Sequence, residues 1–116
     1  DSLRTWSDVR DAVRAYYKLV TINPIPGEYY NIGGSFSCKV GEMLQYMLSI
    51  STVSDIKIET DPERQRPIDA DLQIPNTSKF ESHTGWKPEI SFETTMTDLL
   101  NYWREQVNSG KKFLTR

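Results

Sequence analysis

The stretch EYYNIGG, residues 28–34, sets the arrangement of the elements around it. It is short, aromatic and β-branched, and two glycines end it, a pattern typical of a β-strand. Before it, apolar residues at helical spacing predict a helix from about Ser7 to Thr21. The stretch NPIPG, residues 23–27, ends that helix because proline lacks an amide donor. After it, a second helix is predicted from about Lys39 to Ile50, so the stretch is expected to be a strand between two helices.

The second half of the chain continues this alternation. Residues 56–60 alternate apolar and polar, as a half-exposed strand does. Residues 61–75 are polar and bounded by prolines, which favours an ordered loop or a partly extended segment. A short helix is expected from residue 76 or 77 to Gly85, and a long helix from about Ser91 to Gly110. The predicted fold class is therefore α+β, mostly helical, in the order αβαβαα.

Three of the predicted helices carry apolar residues at helical spacing. In the first helix the residues that share one face are Val9, Ala12, Val13, Tyr16, Leu19 and Val20. In the second helix the residues expected to be buried are Val40, Met43, Leu44, Met47 and Leu48. In the last helix the apolar stripe is Phe92, Met96, Leu99, Leu100, Trp103 and Val107. Because two short strands make a poor sheet alone, we expect this architecture to be marginal in isolation and to dock on a larger domain.

Length and composition bound the class of protein. The chain has 116 residues, 37% of them hydrophobic and 26% charged, which suits one small globular domain. A formal net charge of −2 gives no electrostatic reason for a nucleic-acid or anionic-membrane partner. Cys38 is the single cysteine, so no intrachain disulfide is possible, and no apolar run approaches the about 20 residues of a membrane span. We expect a cytoplasmic protein.

Several kinds of chemistry lack the residues that they need. The chain has no Gly-rich phosphate-binding motif, and Gly33-Gly34 is interpreted as a turn after a strand. His83 is the single histidine and lies near a helix C-terminus, where a positive charge favours the helix dipole. Cys38 is interpreted as a small, partly buried residue rather than a nucleophile. We therefore expect no catalytic residue and no metal ligand in this chain.

Two arginines stand out as candidate ligands for phosphate. Arg4 lies just before the first helix, and Arg66 lies in the loop RPID, residues 66–69. Guanidinium groups bind phosphate oxygens bidentately and stay charged, so two arginines on loops could converge on a diphosphate. Asp69 could accept hydrogen bonds from sugar hydroxyls. On spacing alone, solvated surface charges are the favoured interpretation.

Longer matches resemble one enzyme family. Residues 1–12 (DSLRTWSDVRDA) resemble the Arg-aromatic-Asp segment of extended short-chain dehydrogenase/reductases that act on sugar nucleotides. Residues 28–34 resemble their (Y/F)N-I/L-G strand, and RPID, NTSK and TGWKP, at 66–69, 76–79 and 84–88, resemble their C-terminal motifs. The matches run over nearly the whole chain in the family's order. Within the family, the start is most similar to the GDP-mannose 4,6-dehydratases and next to the reductases that follow them.

The resemblance implies a role for the chain and for its candidate residues. Residues 1–116 would be the C-terminal sugar-nucleotide-binding segment of a longer enzyme whose N-terminal Rossmann domain, outside these residues, holds NADP and the catalytic residues. Arg4 and Arg66 would bind the diphosphate of a GDP-sugar, and Asp69 the ribose. The full-length dehydratase would oxidise C4 of the hexose, remove water across C5 and C6, and return hydride to C6. No cofactor is expected on this segment itself.

Other interpretations remain open at this point. After Arg4 the chain has Thr5-Trp6-Ser7 where the dehydratases often carry Asp-Trp-Gly, so a reductase or another epimerase/dehydratase stays possible. A free-standing, non-catalytic nucleotide-diphosphate module is a further alternative. So is an interaction domain that uses Met43, Tyr46 and Met47, although these are expected to be mostly core. Apolar surface left by the missing domain would favour a homo-oligomer.

Overall fold

The structure is a computed structural model that describes residues 2–64 and 72–110. The strands are β1 (Leu3–Trp6), β2 (Phe36–Lys39) and β3 (Leu72–Gln73). The helices are α1 (Val9–Thr21), α2 (Val40–Ser49), α3 (Ser78–Thr84) and α4 (Phe92–Asn108), and Pro62–Arg64 forms a short 3-10 turn. Within these residues no helix has the length and apolar character needed to cross a membrane. The result is a small mixed α/β arrangement.

A three-stranded sheet in the order β2-β1-β3 places β1 at the centre. β2 runs antiparallel to β1, with Arg4 opposite Cys38, and β3 runs parallel to it, with Arg4 opposite Gln73. Hydroxyl contacts add to the backbone pairing, because Thr5 Oγ1 lies 2.9 Å from Ser37 Oγ and donates to the Gln73 carbonyl oxygen at 3.0 Å. The two halves of the chain are therefore joined through β1.

The four predicted helices are confirmed, with ends set by local capping. Asp8 begins α1 by accepting the Arg10 amide at 2.8 Å, and Ser91 begins α4 by accepting the Thr94 amide at 3.1 Å. Gly85 ends α3 in the left-handed region with φ 65°, as its predicted cap role requires. Short polar side chains and glycine decide these ends locally, so the sequence alone was sufficient.

Both predicted strands are wrong, and so is the predicted element order. Residues 28–34 and 56–60 form no strand among the described residues. β1 and β2 lie just before the first two predicted helices, and β3 lies within residues 61–75, which were expected to be a loop or partly extended. A strand is defined by its neighbour, and neither predicted segment meets one within the described residues. The observed order is β1-α1-β2-α2-β3-α3-α4, which corrects αβαβαα.

Two clusters of buried residues hold the elements together. The Trp86 cluster consists of Ala15, Phe80 and Trp86, with Leu19, Tyr30 and Ile32 packed against it. The sheet cluster consists of Cys38, Phe92 and Met96, with Trp6, Met43, Tyr46, Met47 and Ile50 packed against it. The first joins α1 to α3, and the second joins the sheet to α2 and α4.

The helix faces differ from the sequence-based expectation. In α1 the buried residues are Asp11 and Ala15, while most of the predicted apolar face is exposed. No residue of α2 is fully buried and Val40 is exposed, so the prediction that α2 buries Val40 is wrong. The expectation that Met43, Tyr46 and Met47 are mostly core is confirmed, because all three pack against the sheet cluster. Only the first turns of α4 are buried, and its stripe is exposed from Leu99 onward at 99, 103 and 107.

Candidate functional site

Arg4 lies on the central strand rather than on the predicted loop. β1 is four residues long, and side chains two apart share a face, so Arg4 is on the same face as Trp6. Trp6 packs edge-on against Phe92, with ring centroids 6.4 Å apart. Arg4 itself is half-buried, and its Nη1 donates to the Leu3 carbonyl oxygen at 3.4 Å. The structure therefore fixes the backbone of Arg4 between two neighbouring strands.

β3 pairs in parallel with the strand that carries Arg4. Arg66 and Asp69 both lie outside the described residues, so their proposed roles stay predictions. The chain re-enters the described structure at Leu72, opposite Leu3, and Gln73 lies opposite Arg4. The described chain that follows the second predicted site segment therefore lies beside Arg4.

Gly33 and Gly34 are closely packed rather than a plain turn. A Cβ at Gly34 would lie 1.6 Å from the Trp6 carbonyl oxygen, and a Cβ at Gly33 would lie 2.4 Å from Cγ of Pro75. The chain at Gly34 therefore crosses the C-terminal end of β1 at backbone contact distance, close to the segment that follows β3. Only glycine allows this approach. The sequence pattern identified both glycines but did not reveal the reason for them.

Cys38 and His83 have structural roles. Cys38 is buried opposite Arg4, and burial raises the pKa of its thiol, so the thiolate needed for nucleophilic chemistry is disfavoured. His83 Nε2 donates to the carbonyl oxygens of Ile22 and Asn23 at 3.1 and 3.0 Å. The histidine thus satisfies carbonyl groups at the end of α1. Both interpretations as structural residues agree with the contacts.

An aromatic cavity next to α1 was not predicted from the sequence. It measures about 280 Å³ and is lined by Ala15, Tyr16, Leu19, Glu28, Tyr29, Tyr30, Ile32 and Phe80. At its edge Lys79 Nζ lies 2.6 Å from Glu28 Oε1 and 4.7 Å from the centre of the Tyr29 ring. This ion pair lowers the pKa of Glu28 and raises the pKa of Lys79. In the sequence, the signal for this ion pair was Lys79, which lies in the NTSK motif. Its partner Glu28 lies 51 residues earlier, and only the fold brings the two together.

A buried carboxylate fixes the loop between α3 and α4. Asp11 Oδ2 accepts the amides of Glu89 and Ile90, both at 3.0 Å, and the Asp11 carbonyl oxygen accepts Trp86 Nε1 at 3.1 Å. Arg14 pairs with Asp11 at 3.0 Å. The TGWKP motif and the first helix are therefore one structural unit, although 75 residues separate Trp86 from Asp11. No group of three potential metal ligands occurs in the part of the chain that the structure describes.

Comparison with known proteins places this arrangement in a class of enzymes. The chain is 28% identical to a GDP-6-deoxy-D-mannose reductase of Pseudomonas aeruginosa over 92% of its own length and 34% of the reductase. It is 30% identical to a dTDP-glucose 4,6-dehydratase of Escherichia coli over 95% of its length and 34% of that protein. The structure of RMD from Pseudomonas aeruginosa with NADPH superposes with a TM-score of 0.79 at 25% identity, covering 91% of this chain and 34% of that one.

Both relatives act on sugar nucleotides, one as a reductase and the other as a dehydratase. The model of the GDP-mannose 4,6 dehydratase family matches residues 1–99, and the chain belongs to that family. It spans about a third of the length of the curated relatives, 34% for both of those described. The family assignment supports the resemblance found in the sequence, and the reaction of the full-length protein is a separate question.

Proposed function

We propose that this chain is the nucleotide-binding part of a GDP-hexose enzyme, GDP-mannose 4,6-dehydratase, working in the cytoplasm with an N-terminal cofactor domain. The observation that supports the proposal is the pairing of β3 with β1, in which Leu72 and Gln73 lie opposite Leu3 and Arg4. Two guanidinium groups hold the diphosphate, and the carboxylate of Asp69 accepts from the ribose. Family membership supports a sugar-nucleotide ligand.

The contribution of these residues is binding and orientation. The chain contains neither a Gly-rich phosphate-binding motif nor a Tyr-x-x-x-Lys pair, so its residues do not fit the nicotinamide cofactor, and no hydride transfer is assigned to them. Contacts to the nucleotide end of a substrate supply free energy that positions the distant sugar at the reacting centre. The half-buried position of Arg4 on the central strand suits such a role, because the sheet fixes where its side chain begins.

The test is the Michaelis constant of the full-length enzyme for its GDP-sugar. Arg4→Ala and Arg66→Ala should each raise KM by about tenfold or more, as expected for the loss of a charged hydrogen bond of about 1.5–3 kcal/mol. Lys57→Ala is the matched control, because Lys57 pairs locally with Glu59 at 2.6 Å and is highly exposed. An unchanged KM in both arginine variants would contradict the assignment. Calorimetric titration of GDP into the 116-residue chain measures the same contacts directly.

A second candidate is a GDP-4-keto-6-deoxymannose reductase. It is favoured by the similarity to the Pseudomonas aeruginosa reductase in sequence, 28% identity, and by the TM-score of 0.79 with RMD. Both candidates bind GDP, so the arginine variants do not separate them. The two candidates are separated by incubating the full-length enzyme with GDP-mannose and NADP, and in a second mixture with the 4-keto sugar nucleotide and NADPH. Turnover of the second mixture alone would identify a reductase.

A further inference from the structure

Gln73 lies beside Arg4 on the same face of the sheet. β3 runs parallel to β1, and Gln73 is in register with Arg4. Residues in register on neighbouring strands direct their side chains to the same face, and the strands lie about 5 Å apart. The guanidinium group of Arg4 and the amide group of Gln73 therefore belong to side chains that start as direct neighbours, close enough to contact one ligand group.

This face of the sheet is covered at one end and open at the other. Trp6, two residues after Arg4, packs against the sheet cluster, whereas neither Leu72 nor Gln73 is part of that cluster. Gln73 is exposed and Arg4 is half-buried. A charged side chain and an uncharged polar side chain thus border the open end, where a ligand can approach from solvent.

The backbone of Gln73 is held in place, and its side chain has no protein partner. Thr5 Oγ1 donates to the Gln73 carbonyl oxygen at 3.0 Å and also lies 2.9 Å from Ser37 Oγ, so this row connects all three strands. Among the residues that the structure describes, none forms a hydrogen bond with the side-chain amide of Gln73. A glutamine amide offers two donor hydrogens and one acceptor oxygen. The sheet therefore presents an uncommitted amide at a fixed position.

We propose that Gln73 is a further ligand residue of the nucleotide site and that its amide nitrogen donates to an oxygen of the diphosphate bound by Arg4. A diphosphate has more acceptor oxygens than one guanidinium group can satisfy. A neutral amide adds a donor without placing a second positive charge against Arg4. This inference rests on the proposed function, because it takes the role of Arg4 from it.

Calorimetric titration of GDP into the full-length enzyme tests the proposal. Gln73→Leu keeps a side chain of similar size and removes the donor, so it should raise the Kd for GDP by about tenfold. The Tm of the ligand-free enzyme should stay within about 1 °C, because the exposed amide has no partner among the described residues. Gln45→Leu is the matched control, since Gln45 is an exposed glutamine on α2, and its Kd should stay within about twofold of the wild type.

Gln73→Glu separates a phosphate contact from a contact to a sugar hydroxyl. A carboxylate at this position would repel the phosphates and pair with Arg4, so GDP binding should weaken at least as much as in Arg4→Ala. A carboxylate would still accept a hydrogen bond from a hydroxyl group. Wild-type or tighter GDP binding by Gln73→Glu would therefore overturn the proposal.

The same titrations distinguish failure of this inference from failure of the proposed function. If Arg4→Ala weakens GDP binding and Gln73→Leu does not, the proposed function stands and the role of Gln73 is rejected. If both variants bind GDP as the wild type does, or if the wild type binds no GDP, both are wrong. A fall in the ligand-free Tm of Gln73→Leu by about 5 °C or more would identify a structural residue and would also reject the proposal.

Discussion

The sheet cluster and the Trp86 cluster are built on different principles. The sheet cluster is apolar and aromatic, with Phe92 in contact with Phe36 and Tyr46 at ring-centroid distances of 4.6 and 5.4 Å. The Trp86 cluster combines rings with a buried carboxylate, because Asp11 binds the loop that carries Trp86. The sheet cluster packs against the small three-stranded sheet. The Trp86 cluster packs against one side of α1.

The two clusters also differ in how the residues around them are covered. Around the sheet cluster the half-buried residues, such as Met43 and Met47, face buried partners. Around the Trp86 cluster, Tyr16 is exposed although the neighbouring Ala15 is 1% exposed. The hydrogen bonds of Asp11 use the inner side of α1, and the apolar side of this helix stays exposed.

The largest expected effect comes from removing the centre of the Trp86 cluster. Trp86 is fully buried, lies at a ring-centroid distance of 5.6 Å from Phe80 and donates to the Asp11 carbonyl oxygen. Trp86→Ala should lower the free energy of unfolding by about 3–5 kcal/mol, measured by urea denaturation. Trp86→Phe keeps a ring and loses the hydrogen bond, so it should cost clearly less.

The part of the chain that Trp86→Ala destabilises most tests whether the two clusters are separate units. If they are separate units, amide exchange after Trp86→Ala should accelerate in α1 and α3 more than in β1 and β2. Uniform acceleration would mean that the two clusters unfold as one. That outcome would remove the distinction between the two clusters.

Whether an element could be predicted from the sequence depends on how far apart in the chain its interacting residues lie. All four helices were predicted because caps such as Asp8 and Gly85 act within a few residues. The strands were not, because β1 depends on residues 36–39 and 72–73, far away in sequence. The spacing of Val9, Val13 and Tyr16 predicted an apolar face and could not say what covers it. Arg4 was predicted as a site residue through its family motif, while the glutamate partner of Lys79 depended on the fold.

The next largest effect is expected where the two clusters meet. Residues 30 and 32 belong to the Trp86 cluster, and Gly34 follows them into contact with the end of β1, where a Cβ would lie 1.6 Å from the Trp6 carbonyl oxygen. Because the obstacle is backbone, the strand must move, and Gly34→Ala should destabilise the chain by about 2–3 kcal/mol. Thermal unfolding measures this.

Gly41→Ala is the matched control for Gly34. Gly41 lies inside α2, and a Cβ there would meet nothing within 4 Å. Alanine should therefore stabilise that helix by about 0.5–1 kcal/mol relative to glycine. Equal effects of the two alanines would show that Gly34 is not closely packed, and the join between the clusters would need another explanation.

The smallest effect concerns the polar link between α1 and α4. Arg10 binds both Asp8 and Asp98 at 2.8 Å, and Thr95 donates to Asp8, so the cap of α1 is also tied to α4. The hydrogen bond from Arg10 holds the pKa of Asp8 well below the ordinary value of about 3.9. Asp8→Asn keeps a capping oxygen and loses the charge, so it should cost about 1 kcal/mol at pH 7, measured by denaturant unfolding.

The pH dependence of this variant separates charge from capping. A lowered folded-state pKa means that the contribution of Asp8 is complete above the unfolded-state value and declines as the pH falls toward the folded-state value. The stability difference between the wild type and Asp8→Asn should therefore shrink below about pH 4. Ser91→Ala removes the neutral cap of α4 and should cost about 1 kcal/mol at every pH. If the Asp8→Asn difference stayed constant down to about pH 3, the ionic link between α1 and α4 would contribute nothing to joining the two clusters.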